Sequence, residues 1–360
     1  MIKRRHLVLG AMGGLAAPLY ARAQSNTIEL SAQYSIPELF RGLMEDVATE
    51  FSKRHPNIRV NWRAPEQGYE EIMQRNLRDS ITRSLPDVAF HGLNRQRTLL
   101  ERDIPVDLRP FMLADARIAE QGYSETLLSL GQVGGKQTGI GFALSTPILY
   151  YNVDLMRRAG GDPARPPSSW EEVINLSRAI AGLGDNITGM FFDWTITGNW
   201  SWQGLVFSHG GRMLNAEETQ VAFNQEPGQR AIRTLRRFVD EGRMPDIRPA
   251  TMFTDFFSGR LGISMQSTAQ LGRYNREIGG RFPLLTGRYP LSAPNARIPA
   301  GGNVAMMFTR DAQKQRAAWE FIKFVTSPEA QKVVVEMTGY LPTNQLALGT
   351  EYLGPFYDKN

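Results

Sequence analysis

The sequence contains no cysteine. Disulfides, thiolate metal sites, iron–sulfur clusters, cysteine nucleophiles and lipid-modified cysteine anchors are thereby excluded. Histidine is scarce, with four in 360 residues. Beyond the N-terminus no stretch approaches the roughly 18 uncharged apolar residues of a membrane-spanning helix. There is no phosphate-loop motif, no paired-histidine zinc motif and no nucleophile elbow. Gly139-x-Gly141 lacks a third glycine and a strand-to-helix turn. Internal repeats and low-complexity linkers are also missing. What remains is an ordinary globular composition, 42% hydrophobic and 21% charged. The length suggests two core-forming units.

Met1–Arg5 carries Lys3, Arg4 and Arg5 without an acid. Leu7–Tyr20 is apolar and rich in small residues, and Ala21-Arg22-Ala23 supplies a small-x-small cleavage pattern. This order predicts a signal peptide over 1–23 rather than an anchor, since its apolar run of about 14 residues is too short to span. Arg4-Arg5-His6-Leu7-Val8 resembles a twin-arginine signal, with the general secretory route as the alternative. Cleavage after Ala23 removes Lys3, Arg4, Arg5 and Arg22 and no acid, leaving 37 basic against 36 acidic residues. The net charge falls from +5 to +1, and a nucleic-acid partner loses its main support. The processed chain is expected to be soluble and periplasmic.

Periodicity predicts an α/β chain. Thr27–Gln33 reads as a strand, and Phe40, Leu43, Val47 and Phe51 share a face of a helix over 39–52. Ile58, Val60 and Trp62 alternate as a strand; a helix over 69–82 and a strand over 87–90 follow. A second unit is expected from near Gly141, with a strand at 147–152. Ser168 and Ser169 before Glu171 and Glu172 open a helix from Trp170. Further on come a strand at 187–192, a helix containing 203–209, and an Arg-rich helix over 229–241 with Ile232, Leu235 and Val239 inward. Asn303–Phe308 reads as a strand. Asp311 caps the next helix, and Ser327-Pro328 opens another that Gly339 ends.

Three histidines survive cleavage. His55 is expected at the surface, His209 in a structural role at a helix end, and His91 within reach of a ligand. Trp194, Trp200 and Trp202 crowd beside Thr195, Thr197 and Asn199. Indole faces stack on sugar rings while amides and hydroxyls bond their hydroxyl groups; the same tryptophans serve equally as core. Gly301-Gly302-Asn303 permits close backbone approach to a ligand, or simply a turn before a strand.

A longer pattern then emerges. Ser145-Thr146-Pro147-Ile148-Leu149-Tyr150-Tyr151-Asn152 precedes Gly160-Gly161-Asp162-Pro163 and Pro166-Pro167-Ser168-Ser169-Trp170. Gly301-Gly302-Asn303, Thr326-Ser327-Pro328-Glu329-Ala330-Gln331 and Thr338-Gly339-Tyr340-Leu341-Pro342-Thr343 follow. Together these resemble the extracellular solute-binding proteins of carbohydrate ABC importers, above all the glycerol-3-phosphate-binding branch, over about Thr27–Leu346. The resemblance implies a two-lobed α/β periplasmic-binding-protein fold with a central ligand cleft and three crossings, near 143–146, 301–303 and 339–341. Lobe one is then 24–143 plus 304–338, and lobe two 147–301 plus 341–360. The implied ligand-binding residues are Tyr69, Ser145, Gly302 and Tyr340, with Ser267 or Thr268 and Trp194; Asn303 and Trp202 join them from the motifs above. The branch's cleft glutamate is replaced here by Asn94 or His91, and its downstream phosphate-binding arginine has no counterpart before Asn360, with Arg273 as a conceivable substitute.

These departures favour a neutral carbohydrate or polyol over glycerol-3-phosphate or a glycerophosphodiester. The expected partners are that solute and the transmembrane subunits of an ABC permease. The protein is expected to act as a monomer, without metal or cofactor. A secreted carbohydrate-active enzyme is the competing class; it needs two carboxylates roughly 5 to 9.5 Å apart, for which Glu66, Glu70 and Asp193 are candidates. A solute sensor that docks a receptor is a third.

Overall fold

The computed structural model describes residues 27–196 and 199–359. The leader expected over 1–23, together with Thr197 and Gly198, lies outside the described residues. The strands are β1 (Ile28–Gln33), β2 (Ile58–Trp62), β3 (Val88–Gly92), a short ladder of β4 (Gln132–Val133) with β5 (Lys136–Gln137), then β6 (Ile140–Ser145), β7 (Pro147–Asn152), β8 (Thr188–Phe192), β9 (Leu261–Ser267), β10 (Leu284–Gly287) and β11 (Gly301–Met307).

Apolar residues alternate in β2, burying Ile58 and Val60, which lets it pair in parallel with β1 at the edge of a sheet. That sheet has the order β2-β1-β3-β11-β6, with β11 antiparallel to both neighbours. The helix Pro37–Arg54 begins on its proline, where a missing N–H costs nothing. Its Phe40, Leu43, Val47 and Phe51 are buried in the same cluster as Phe90, Phe142, Phe321 and Tyr340. The second sheet, β10-β7-β9-β8, pairs β8 with β9 in parallel and is otherwise antiparallel. Its cover includes the helix Trp170–Ala181, opened by a capping box in which Ser169 Oγ accepts from Glu172 N at 3.2 Å and Glu172 accepts from Ser169 N at 3.2 Å. Such a cap is worth about 1 kcal/mol.

Three expectations change. The second unit starts at Pro147 rather than Gly141, because β6 pairs with β11 inside the first sheet. Gly301 and Gly302 are the first residues of β11, so the return crossing lies just before them. The segment from Leu341, expected on the second lobe, is bonded to the first. Leu341 N donates to Leu144 O at 2.6 Å, Thr343 Oγ1 to Gly141 O at 2.6 Å, and Asn344 Nδ2 to Gln121 O at 2.7 Å. Gly339, with φ 102°, ends the helix Pro328–Thr338 against the second lobe, where a Cβ on it would lie 2.6 Å from Thr268 O, and the chain then returns to the first lobe.

The Arg-rich helix Glu226–Asp240 also sits differently from its expected face. Ile232 and Val239 are exposed; Ala231, Thr234 and Phe238 are buried. Phe238 decides the rotation, since its ring packs 5.3 Å from Trp170 and 5.4 Å from Phe192, a larger apolar gain than either aliphatic offers. The arginines stay outside, paired with Glu226, Asp240, Glu241 and Glu171.

Candidate functional site

The chain passes from β6 to β7 through one residue, Thr146. Thr268 pins it from the second lobe: Thr146 N donates to Thr268 Oγ1 at 3.3 Å, and Thr268 N donates to Thr146 O at 3.0 Å. The return passes through Ala300, whose carbonyl accepts from Trp200 Nε1 at 3.2 Å. Both crossings therefore border one cavity, a cleft of about 290 Å³ between the lobes.

Tyr69 begins the helix Tyr69–Ile81, which follows β2 on the first lobe. Its hydroxyl accepts from Asn303 Nδ2 at 3.1 Å and is hydrogen-bonded to Tyr340. Burial pushes both phenols upward, so Tyr69 and Tyr340 remain protonated hydrogen-bond donors at ordinary pH. Tyr340 stacks on Phe40 with 5.5 Å between ring centres, fixing it to the first-lobe core. Gly92 leaves room for Tyr69: a Cβ there would lie 2.7 Å from the tyrosine ring. Gly302 has φ 107°, and a Cβ on it would stand 1.9 Å from the Ala143 carbonyl. Only glycine fits that position.

Asp193 forms the second-lobe floor, just beyond β8. One of its oxygens accepts from Thr195 N at 3.0 Å and Thr195 Oγ1 at 2.6 Å, the other from Gln266 Nε2 at 2.7 Å. Trp200 and Phe253 add aromatic wall, and Gln270 adds an amide whose buried oxygen has no partner among the described residues. Among the described lining residues the only charged groups are Glu38 and Asp193; no Lys, Arg or His is present.

Of the residues singled out from sequence, Tyr69, Asn94, Ser145, Ser267, Gly302 and Tyr340 line this cleft together. Asn303 is one layer behind, buried and holding Tyr69. Thr268 braces the crossing instead of facing the cavity. Trp194 and Trp202 pack against the second-lobe core, and Trp200 stands in the cleft in their place. The helix Trp200–Ser208 explains the exchange, because residues two apart point about 200° apart around its axis. His91 is buried, with Nε2 2.9 Å from Asn76 Oδ1, and is not among the lining residues. His209 caps its helix and bonds Thr234 at 3.0 Å. Arg273 does not reach the cleft lining; its guanidinium lies 4.1 Å over the Phe253 ring. Sequence reasoning passed over Gln266, Gln270 and Phe253, for which no local motif exists. Asp193, a candidate for hydrolysis on sequence grounds, is placed as a hydrogen-bonded lining group, and Trp200 is the one of the three clustered tryptophans that lines the cleft.

Of the three carboxylates considered for hydrolysis, Asp193 lines the cleft; Glu70 is paired with Arg95 at 2.9 Å, and Glu66 is not among the lining residues. Among the described residues no group of three or more His, Asp or Glu is placed to hold a metal ion. No helix among them is long and apolar enough to cross a membrane.

A family model described as bacterial extracellular solute-binding protein matches residues 46–351. The sn-glycerol-3-phosphate-binding periplasmic protein UgpB of Pectobacterium atrosepticum is 26% identical over 228 residues, covering 61% of this chain and 51% of that protein. UgpB of Escherichia coli strain K12 is likewise 26% identical over 228 residues, covering 61% of this chain and 52% of its own. The chain thus spans about half the length of the curated relatives it matches. Among solved structures, UgpB from Mycobacterium tuberculosis in complex with glycerophosphocholine superposes with a TM-score of 0.82 at 20% identity, covering 92% of this chain and 83% of that one. The GacH receptor of Streptomyces glaucescens, solved unliganded and with acarbose, gives 0.77 at 18% identity, covering 89% and 81%. These likenesses establish the two-lobed periplasmic-binding-protein fold. With the family match running over most of its length, the chain belongs to the bacterial extracellular solute-binding protein family.

Proposed function

We propose that this protein is the solute-binding component of an ABC importer, capturing a neutral carbohydrate or polyol between its lobes and handing it to the membrane permease. The observation that carries this reading is the lining of the cleft: aromatic faces from Tyr69, Trp200, Phe253 and Tyr340, amides and hydroxyls from Asn94, Ser145, Ser267 and Gln270, and no cation among the described lining residues. Rings and hydroxyls of a sugar suit such walls. A dianionic phosphate finds no charged donor among the described lining residues and two carboxylates instead. The names of the UgpB relatives support the alternative, a glycerol phosphate or glycerophosphodiester.

In this reading Tyr69, Asn94, Ser145, Ser267, Gly302 and Tyr340 contact the solute, with Asp193, Gln270, Trp200 and Phe253. The lobes, 27–145 with 301–359 and 147–300, rotate about Thr146 and Ala300, and the solute favours the closed arrangement in proportion to its preference for it. Binding without turnover is the mechanism, export by the leader over 1–23 delivers the chain to the periplasm, and the monomer is the working unit.

Thermal unfolding of the purified protein against sugars, polyols and glycerol phosphates tests this. A ligand present at about 1,000 times its Kd adds roughly 4 kcal/mol. For a chain of this length that is a rise of about 6 °C. A rise with a neutral sugar or polyol supports the reading; a rise confined to phosphorylated compounds overturns it in favour of the alternative.

A further inference from the structure

Beside the cleft lies a second cavity of about 230 Å³ with the opposite chemistry. The two share Glu38, Leu39 and Ala269 as walls. The second is lined from the first lobe by Arg41, on the helix Pro37–Arg54, and from the second lobe by Arg273 and Arg276, on the helix Leu271–Ile278. Three guanidinium groups against one carboxylate, Glu38, leave a net excess of positive charge in a small space.

None of these three arginines has a carboxylate within ion-pair distance among the described residues, whereas Arg230, Arg233, Arg236 and Arg237 on the surface helix are all paired. Arg273 and Arg276 are three residues apart and so share a helix face. Arg273 is held by stacking, 4.1 Å over Phe253 and 5.6 Å from Phe257. Stacking fixes the guanidinium plane and leaves its in-plane N–H edges for an acceptor. Arg276 spends Nη1 on Gly272 O at 3.3 Å and keeps its remaining donors. Clustered cations repel unless an anion lies among them, and planar guanidinium forks match carboxylate and phosphate oxygens.

We propose that this groove is an oxyanion site separate from the solute cleft, taking a phosphate-class anion that bridges Arg41 of the first lobe to Arg273 and Arg276 of the second. An anion held there ties the lobes in the arrangement seen here. By linkage it tightens solute binding in the cleft, and the solute tightens the anion by the same factor. Phe253, which lines the cleft and carries Arg273 over its ring, is the shared element. The anion is inorganic phosphate or a phosphomonoester taken from solution, distinct from the solute held in the cleft.

Calorimetric titration of the purified protein with inorganic phosphate, at constant ionic strength in chloride, tests the site. Saturable binding is expected at millimolar Kd or better. Arg41→Gln and Arg276→Gln should each weaken it about tenfold, the loss of one charge-assisted hydrogen bond. Glu38→Gln should strengthen it. Arg41 and Arg276 are exposed, so these variants fold even where Arg273→Gln, which loses its stacking, does not. Phosphate and a neutral solute should bind simultaneously, each tightening the other; mutual exclusion of the two overturns the separateness of the site. Absence of saturable phosphate binding, or binding indifferent to both variants, overturns the proposal. The phosphate titration needs no solute, so its outcome is independent of whether the cleft binds a sugar.

Discussion

The guanidinium of Arg97 stands 2.8 Å from the carboxylate of Glu218, and this contact joins the two lobes. Arg97 belongs to the helix Gln96–Leu100, one turn beyond cleft-lining Asn94, and Glu218 to the turn enclosed by the Leu214–Val221 bridge. Among the described residues it is the one ion pair that crosses between lobes. Both side chains are more than half exposed, 61% and 53%, so the pair is worth about 1 kcal/mol or less. Arg97→Gln or Glu218→Gln should weaken solute binding by up to about fivefold at low salt, and the effect should vanish near 1 M salt. Titrations at both salt concentrations check this; unchanged affinity at low salt would show that the pair plays no part in closure.

Trp200 and Trp202 should separate in their effects. Trp200→Ala removes a cleft wall and should cost about tenfold or more in solute affinity. Trp202→Ala removes packing from the second-lobe core and should lower the melting temperature while leaving affinity within about threefold. Equal affinity losses for the two variants would contradict the placement of the rings.

Gly302→Ala meets two obstacles at once, a φ of 107° and a carbonyl 1.9 Å from the new Cβ. The strand β11 has to shift at the crossing, at a cost of about 2 kcal/mol or more. Denaturant unfolding should show the loss, and Gly160→Ala, also at positive φ but with nothing near its Cβ, should lose less. A neutral Gly302→Ala would remove the steric argument.

Burial pulls His91 down to about 3 from its ordinary 6.5. Between these values the unfolded chain binds a proton that the folded chain refuses. The contribution of this group is therefore complete above pH 6.5 and is lost as the pH falls, by roughly 2 kcal/mol at pH 5. His91→Gln should flatten the melting temperature between about pH 7 and pH 5 relative to the unmodified chain. An equally steep acid dependence in the variant would assign it to other groups.

Much of this architecture is legible in the sequence because it rests on local chemistry. Ser169 with Glu172, Asp311, Ser327 and Gly339 mark helix ends through bonds to residues close in sequence, and each end stands where the motif put it. The inward face of Glu226–Asp240 was not legible, because Phe238 is chosen by Trp170 and Phe192, distant in sequence. The cleft divides in the same way. Tyr69, Ser145, Gly302 and Tyr340 lie in recognisable motifs at the crossings and the start of a helix. Gln266, Gln270 and Phe253 come from β9 and its neighbours, and only tertiary packing brings them to the cavity. Which of three nearby tryptophans faces the cleft depends on where a helix begins, at Asn199 with φ 55°, a boundary that no pattern of residue types announces.

In the proposed function, a cleft whose described lining is aromatic and amide-bearing and holds no cation selects an uncharged solute. Side-by-side calorimetric titration of the purified protein with the best neutral sugar or polyol and with glycerol-3-phosphate, under conditions that saturate the arginine groove with inorganic phosphate, tests it most directly. The neutral solute should bind tighter by about tenfold or more, and Trp200→Ala should abolish this preference. Tighter binding of glycerol-3-phosphate, unaffected by the inorganic phosphate, would contradict it.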